Sequence, residues 1–148
     1  MPTCKAMSMF ETLVSEAKAA QSKAYAPYSH YLVGAAILGA DGEIYSGCNV
    51  ENVSYGLTIC AERVAIGKMV AAGCRRLIEV VVVTRDGGTP CGMCRQTLAE
   101  FTSTPEEVKV TCLDAEGKAQ SWPLSALLPE AFRSEVGPKL TPTNIPEV

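Results

Sequence analysis

Apolar residues recur at helical spacing near the start of the chain. Phe10, Leu13, Val14, Ala17, Ala20 and Ala24 fall on one face and predict an amphipathic helix over 8–24. It ends before Pro27, which forces the preceding residue out of helical backbone. Leu32 to Leu38 then reads as a strand, and its small residues Gly34-Ala35-Ala36 let another element approach closely. Asp41-Gly42 marks a hairpin turn, with Glu43 to Val50 as the return strand. A loop over 53–59 feeds a helix over 60–73 that buries Val64, Ala65, Met69 and Val70 and stops at Gly73. The β-branched run Leu77 to Thr84 predicts a central strand. A second core helix runs from Cys91 to about Phe101. Val108 to Leu113 and Lys118 to Trp122 are two more strands around an Asp114–Gly117 turn, and a helical turn over 124–128 closes at Pro129. A hairpin followed by helix, strand, helix, strand predicts an α/β fold: three layers, α/β/α, with a mixed five-stranded sheet and helices on both faces.

Composition narrows this picture. The 148 residues suit one domain, placed at 1–137, ahead of a tail at 138–148 that carries Pro138, Pro142 and Pro146 and is expected to be extended. A net charge of -3 and a pI near 5.2 leave no basic footprint for nucleic acid. The longest strongly apolar run, Val80 to Val83, is far short of a membrane span, and Met1 to Ala20 has no signal-peptide core. Seven cysteines, an odd number, argue against a disulfide framework and for a reduced, cytoplasmic protein.

Candidate chemistry gathers in two fragments, Cys60-Ala61-Glu62-Arg63 and Pro90-Cys91-Gly92-Met93-Cys94-Arg95-Gln96. Cys91 and Cys94 share one side of a helix's first turn, where unpaired backbone N–H groups favour anions and lower thiol pKa. Cys60 reaches the pair by simple geometry. A helix over 60–73 rises about 21 Å at roughly 1.5 Å per residue. A strand over 77–83 returns about 23 Å at roughly 3.3 Å per residue. Three sulfurs leave tetrahedral zinc one open position, as catalytic sites do. Glu62 is placed to reach that position without binding the metal. Three thiolates around Zn²⁺ carry an excess of negative charge, which predicts that Arg63, Arg95 or both donate hydrogen bonds to sulfur. Taken alone, Cys-x-x-Cys fits zinc or redox chemistry; Cys60-Ala61-Glu62 and Pro90 tilt it to zinc.

These fragments resemble the cytidine deaminase family, specifically the small three-cysteine nucleoside deaminases, whose zinc chemistry uses a Glu and a Pro-Cys-x-x-Cys segment. The resemblance runs from Tyr25 to Phe132. It also rests on Ala26-Pro27-Tyr28-Ser29, Val33-Gly34-Ala35-Ala36, Gly47-Cys48-Asn49-Val50-Glu51-Asn52 and Leu127-Leu128-Pro129. It implies that Cys60, Cys91 and Cys94 hold one Zn²⁺ per chain. It implies that Glu62 carries protons to the pyrimidine ring nitrogen and then to the leaving ammonia, and that Asn49 and Glu51 hold the ribose hydroxyls. Tyr31 falls where the family usually has a Phe stacking near the base. A homotetramer with sites shared between subunits is implied, Val53 (where Ala is commoner), Tyr55 and Phe132 standing at the matching positions. The implied reaction is hydrolysis of cytidine or 2′-deoxycytidine to the uridine product and ammonia, a step of pyrimidine salvage.

Plainer readings accompany these. Cys4, Cys48, Cys74 and Cys112 read as small packing residues, His30 as a solvated loop residue and Trp122 as packing. Asn49 and Glu51 also suit the satisfaction of turn backbone at a strand end. Three alternatives compete: a deaminase of another aminated ring, an editor of polynucleotides, and a structural zinc domain. The last would need a fourth protein ligand from Glu62 or His30.

Overall fold

The computed structural model describes residues 7–134. The expected domain end at 137, the tail at 138–148 and Cys4 lie outside them.

Helix α1 spans Met9–Gln21 and opens on a capping box: the Ser8 hydroxyl accepts from the Glu11 N–H, and the Glu11 carboxylate accepts from the Ser8 N–H. It stops three residues before the predicted 24. Tyr25 is drawn into extended pairing, donating to the Asn49 carbonyl at 3.0 Å and accepting from the Glu51 N–H at 2.8 Å. Strands β1 (Gly34–Gly39) and β2 (Ile44–Cys48) form the hairpin. Both are shorter than predicted: the Leu32 carbonyl and the Val33 N–H pair with the side chains of Gln21 and Asn49, although the Asn49 N–H still donates to the Val33 carbonyl at 3.2 Å.

Helix α2 covers Ala61–Ala71 with Cys60 as its N-cap. It ends as expected at Gly73, whose φ of 94° suits the bonds from Gly73 N–H to Val70 and from Cys74 N–H to Met69. Strand β3 (Leu77–Val83), helix α3 (Gly92–Glu100), strands β4 (Lys109–Leu113) and β5 (Ala119–Pro123), and the short helix α4 (Leu124–Leu127) complete the order.

The sheet order is β2-β1-β3-β4-β5, with β3 and β4 parallel and the other neighbours antiparallel. Alternation along β1 and β3 makes two cores. Ala35, Ile37, Val80 and Val82 pack with Ala65, Met69 and Leu98 from α2 and α3. Ala36, Val81 and Val83 face Leu13 and Ala17 of α1. This is the expected three-layer arrangement with helices on both faces. Cys74, Cys112 and Trp122 take part in the α2–α3 core, which is the packing role expected of them.

Two glycines set how close the layers come. A Cβ on Gly34 would stand 1.9 Å from the Ala17 carbonyl of α1, and one on Gly47 would stand 2.6 Å from both the Ala61 carbonyl and the Ala65 nitrogen of α2. The first turn of α2 therefore lies directly on β2. The parallel β3–α3–β4 crossover places Cys91 beyond the carboxyl end of β3, where sites in α/β sheets gather.

Candidate functional site

Cys60 and Cys91 are the N-cap residues of α2 and α3, both in extended backbone, and Cys94 lies in the first turn of α3. The out-and-back path of α2 and β3 brings the helix starts together. The three sulfurs lie within 4.8 Å of one another, with Cys60 and Cys91 3.8 Å apart. Zinc bound to thiolates at about 2.3 Å in tetrahedral geometry needs sulfurs roughly 3.8 Å apart. The trio therefore fits the ion by both chemistry and spacing. A sulfur-only donor set favours zinc over magnesium or calcium, which seek oxygen.

The protein tunes these thiols before any metal arrives. Cys60 is pulled down to about 5, first by the hydrogen bond shared with Cys94, then by the Arg63 guanidinium and Cys91. The same pairing, with burial, drives the Cys94 thiol up. One thiolate, that of Cys60, is thus held ready.

Glu62 lies in the first turn of α2 and is 4% exposed. Its Oε2 accepts from the Cys94 thiol at 3.6 Å. Burial, and next the Cys60 charge, raise its carboxyl above the ordinary range. A carboxyl so raised beside a metal trio is suited to giving and taking protons.

The two arginines divide the task predicted for them. Arg63 Nη2 donates to Cys60 Sγ at 3.7 Å and to the Thr58 carbonyl at 3.1 Å. The sulfurs of Cys60 and then Cys94 hold its charge on more firmly. Arg95 instead donates to the carbonyls of Pro90 and Leu127, each at 2.7 Å, and to Thr89 Oγ1 at 2.9 Å. The expectation of a sulfur contact is corrected for Arg95. Its side chain turns back along α3 and braces the Thr89–Pro90 backbone that leads into Cys91.

Asn49 is buried, donating to the Tyr31 carbonyl at 2.8 Å and accepting from Val33 N–H at 2.9 Å. Each end of its amide keeps one further hydrogen-bonding position. Glu51 accepts from the N–H groups of Tyr28 and Ser29 and from the Ser29 hydroxyl; the last contact does most to hold its carboxyl below the ordinary range. Tyr28, Ser29, Glu51, Tyr55 and Thr58 line a cleft of about 260 Å³.

The description "cytidine and deoxycytidylate deaminase zinc-binding region" belongs to the family model that matches residues 7–112. The chain belongs to this deaminase family. It is 45% identical over 127 residues to a cytidine deaminase of Sporosarcina psychrophila, covering 84% of this chain and 92% of that one. A cytidine deaminase of Mycobacterium tuberculosis is 41% identical over 122 residues, covering 81% and 86%. Among solved structures, a cytidine deaminase from Burkholderia pseudomallei superposes with a TM-score of 0.78 at 43% identity, covering 85% of this chain and all of that one. The Mycobacterium tuberculosis structure gives 0.73 at 38%, covering 86% and 100%.

Within this deaminase fold, Cys60, Cys91, Cys94, Glu62 and Arg63 form one group, while Asn49, Glu51 and Tyr31 form a second joined through Ser29. Tyr31 N–H donates to Ser29 Oγ at 3.0 Å. Val53, Tyr55 and Phe132 stand 77%, 76% and 79% exposed, with Tyr55 on the edge of the cleft beside Glu51. His30 is exposed in a left-handed turn at φ 55°, as a solvated loop residue would be. Three residues escaped the sequence reading: Ser29, which anchors Glu51; Thr58, which orients Arg63; and Asp86, which accepts from Tyr31. Ser29 lies within the Ala26-Pro27-Tyr28-Ser29 segment. The other two had no spacing signal.

Proposed function

We propose that this deaminase hydrolyses cytidine and 2′-deoxycytidine to uridine and 2′-deoxyuridine with release of ammonia, using one zinc ion per chain. The observation that carries the reading is the buried Glu62 carboxyl beside a three-sulfur trio of tetrahedral spacing. Relatives named cytidine deaminase support the substrate.

Held by Cys60, Cys91 and Cys94, zinc supplies the Lewis acidity that makes water a nucleophile near neutral pH. The remaining work falls to side chains. Glu62 takes a proton from the attacking water and delivers it to the ring nitrogen. It then passes the second proton to the departing amine. One water enters, the C4–N bond breaks, a C4 carbonyl forms and ammonia leaves. Arg63 draws charge from the Cys60 sulfur and offsets the excess of three thiolates. Arg95 holds the backbone that presents Cys91. Asn49 and Glu51 use their remaining positions on the ribose hydroxyls, and Tyr31 stands beside the base.

The site is completed by further copies of the chain, in a homotetramer. Val53, Tyr55, Leu57, Met93 and Phe132 expose between 64% and 79% of their surfaces, an apolar display that calls for a covering partner. The cleft beside Glu51 is also smaller than the ~300–1,000 Å³ of ordinary ligand pockets. Walls from neighbouring subunits enlarge and close it. A cytoplasmic setting and a place in pyrimidine salvage fit thiol-based metal binding and a free nucleoside substrate. Among the described residues, no helix is long and apolar enough to cross a membrane.

The test is direct. The purified protein is assayed for zinc per chain and for ammonia release from cytidine and from cytosine, with and without chelator. One zinc, chelator-sensitive turnover and preference for cytidine are expected. Turnover undiminished in metal-free protein would sink the mechanism, and preference for cytosine would sink the ribose assignment.

A further inference from the structure

Tyr31 carries a hydroxyl that base stacking does not require, and the structure shows where it goes. The hydroxyl donates to Asp86 Oδ1 at 2.5 Å, across 55 positions of sequence. The same carboxylate oxygen accepts from Thr84 Oγ1 at 3.2 Å and from Gly88 N–H at 3.3 Å, and Gly88 N–H also reaches Thr84 Oγ1 at 2.9 Å. The Arg85 guanidinium lies over the Tyr31 ring, 5.0 Å from its centre. The backbone of Tyr31 is fixed at both ends, its carbonyl by Asn49 and its N–H by Ser29, which also binds Glu51.

Tyr31 therefore joins two walls. Its backbone belongs to the Asn49–Glu51 side. Its side chain is tied to the turn over 84–88, which leads through Thr89 and Pro90 into Cys91. A tyrosine side chain has two rotatable torsions. A hydroxyl held by a carboxylate and a ring face covered by a guanidinium remove most of that freedom. The Tyr31 hydroxyl is kept protonated, as a donor must be, by burial first and then by the Asp86 bond.

We propose that Asp86 is a positioning residue for substrate binding: through its hydrogen bond to the Tyr31 hydroxyl it locks the aromatic wall of the pyrimidine pocket before substrate arrives. Preorganisation lowers the ordering cost of binding, so its loss is read in KM. The inference rests on Tyr31 standing beside the base, and the experiment separates the two claims.

The zinc-loaded full chain is compared with its Tyr31→Phe, Asp86→Ala, Asp86→Asn and Tyr31→Leu variants, and with Tyr31→Phe combined with Asp86→Ala. KM and kcat for cytidine and zinc content are measured for each. Tyr31→Phe and Asp86→Ala each raise KM about fivefold, equivalent to about 1 kcal/mol at 1.4 kcal/mol per tenfold. Zinc content and kcat stay within twofold. The combined variant is no worse than either alone, and Asp86→Asn, which keeps an acceptor, recovers part of the loss. Two results would overturn the proposal. One is an Asp86→Ala effect on KM that persists undiminished in the Tyr31→Phe background. The other is a fall in zinc content or kcat with KM unmoved, the mark of a merely structural turn. If Tyr31→Phe is neutral while Tyr31→Leu is damaging, the ring is in place and the lock is wrong. If Tyr31→Leu is neutral too, Tyr31 does not stand at the base.

Discussion

Gly47→Ala tests how the sheet positions the metal site. Gly47 pairs with Ala35 across the hairpin and lies beneath the start of α2. A methyl there meets the Ala61 carbonyl and the Ala65 nitrogen at 2.6 Å and Val64 Cβ at 2.9 Å. Two of these are helix backbone, which no rotamer change can move aside. To reach an ordinary contact of 3.4 Å, α2 must retreat by about 0.8 Å. Metal–ligand distances tolerate only about 0.2 Å, and Cys60 immediately precedes Ala61. Overpacking of this kind costs about 1–3 kcal/mol. For a domain of this size, that lowers Tm by roughly 2–12 °C. Gly34→Ala is the control, because its methyl strikes α1 on the opposite face, 1.9 Å from the Ala17 carbonyl. Thermal melts by circular dichroism give stability, and competition with a chromophoric chelator at a temperature where all forms are folded gives zinc affinity. Both variants lose stability, and Gly47→Ala alone loses zinc affinity, by more than tenfold. Equal zinc affinity in Gly47→Ala and the unsubstituted chain would refute the claim that this contact sets the position of Cys60.

Glu62→Gln keeps shape and removes proton transfer, so kcat falls about 10²- to 10⁴-fold while zinc per chain stays at one. In metal-free protein, Cys60 is alkylated with a midpoint near pH 5, and Arg63→Gln moves that midpoint upward. The folded thiol's pKa is depressed, so its contribution to stability is full above the unfolded value near 8.5 and is lost as pH falls toward 5; denaturant melts of metal-free protein across that range check the sign. Tyr55→Ser combined with Phe132→Ser breaks the proposed homotetramer into smaller species on sedimentation and raises KM, since both residues expose more than three-quarters of their surface in the single chain.

Most of the fold was legible because local signals and tertiary demands agree. The β1–β2 turn, the stop at Gly73 and the β3 strand, apolar except for Glu79, each have a cause within a few residues. The metal trio was legible because helix rise and strand rise cancel, a result that needs only element lengths. Errors fall where a distant partner decides. The end of α1 is set by pairing between Tyr25 and the Asn49–Glu51 strand end, and Arg95 is turned from the sulfurs by the carbonyls of Pro90 and Leu127. Tyr31 and Asp86 met because two loops converge, and nothing in either segment marks the other.

The two helix starts show why the site breaks local rules. N-cap positions favour Ser, Thr, Asp or Asn, whose side chains bind the first free N–H groups, and losing such a cap costs about 0.5–2 kcal/mol. Ser8 at the start of α1 does this. Cys60 and Cys91 occupy the same positions at α2 and α3 and make no capping bond. Their extended backbone instead aims both sulfurs into one space, with the unpaired N–H groups and the positive ends of two helices around them. That field favours thiolate, and thiolate favours zinc, so energy withheld from the helix ends is recovered when metal binds. A Cys60→Ser variant separates these roles. Serine restores a good cap while weakening the metal site, so at about pH 5, where the Cys60 thiolate no longer stabilises the fold, the metal-free variant melts above the metal-free unsubstituted chain, and at neutral pH with zinc the order reverses. An unsubstituted chain that is the more stable of the two without metal at about pH 5 would show that the cysteines give up nothing to stand at these caps.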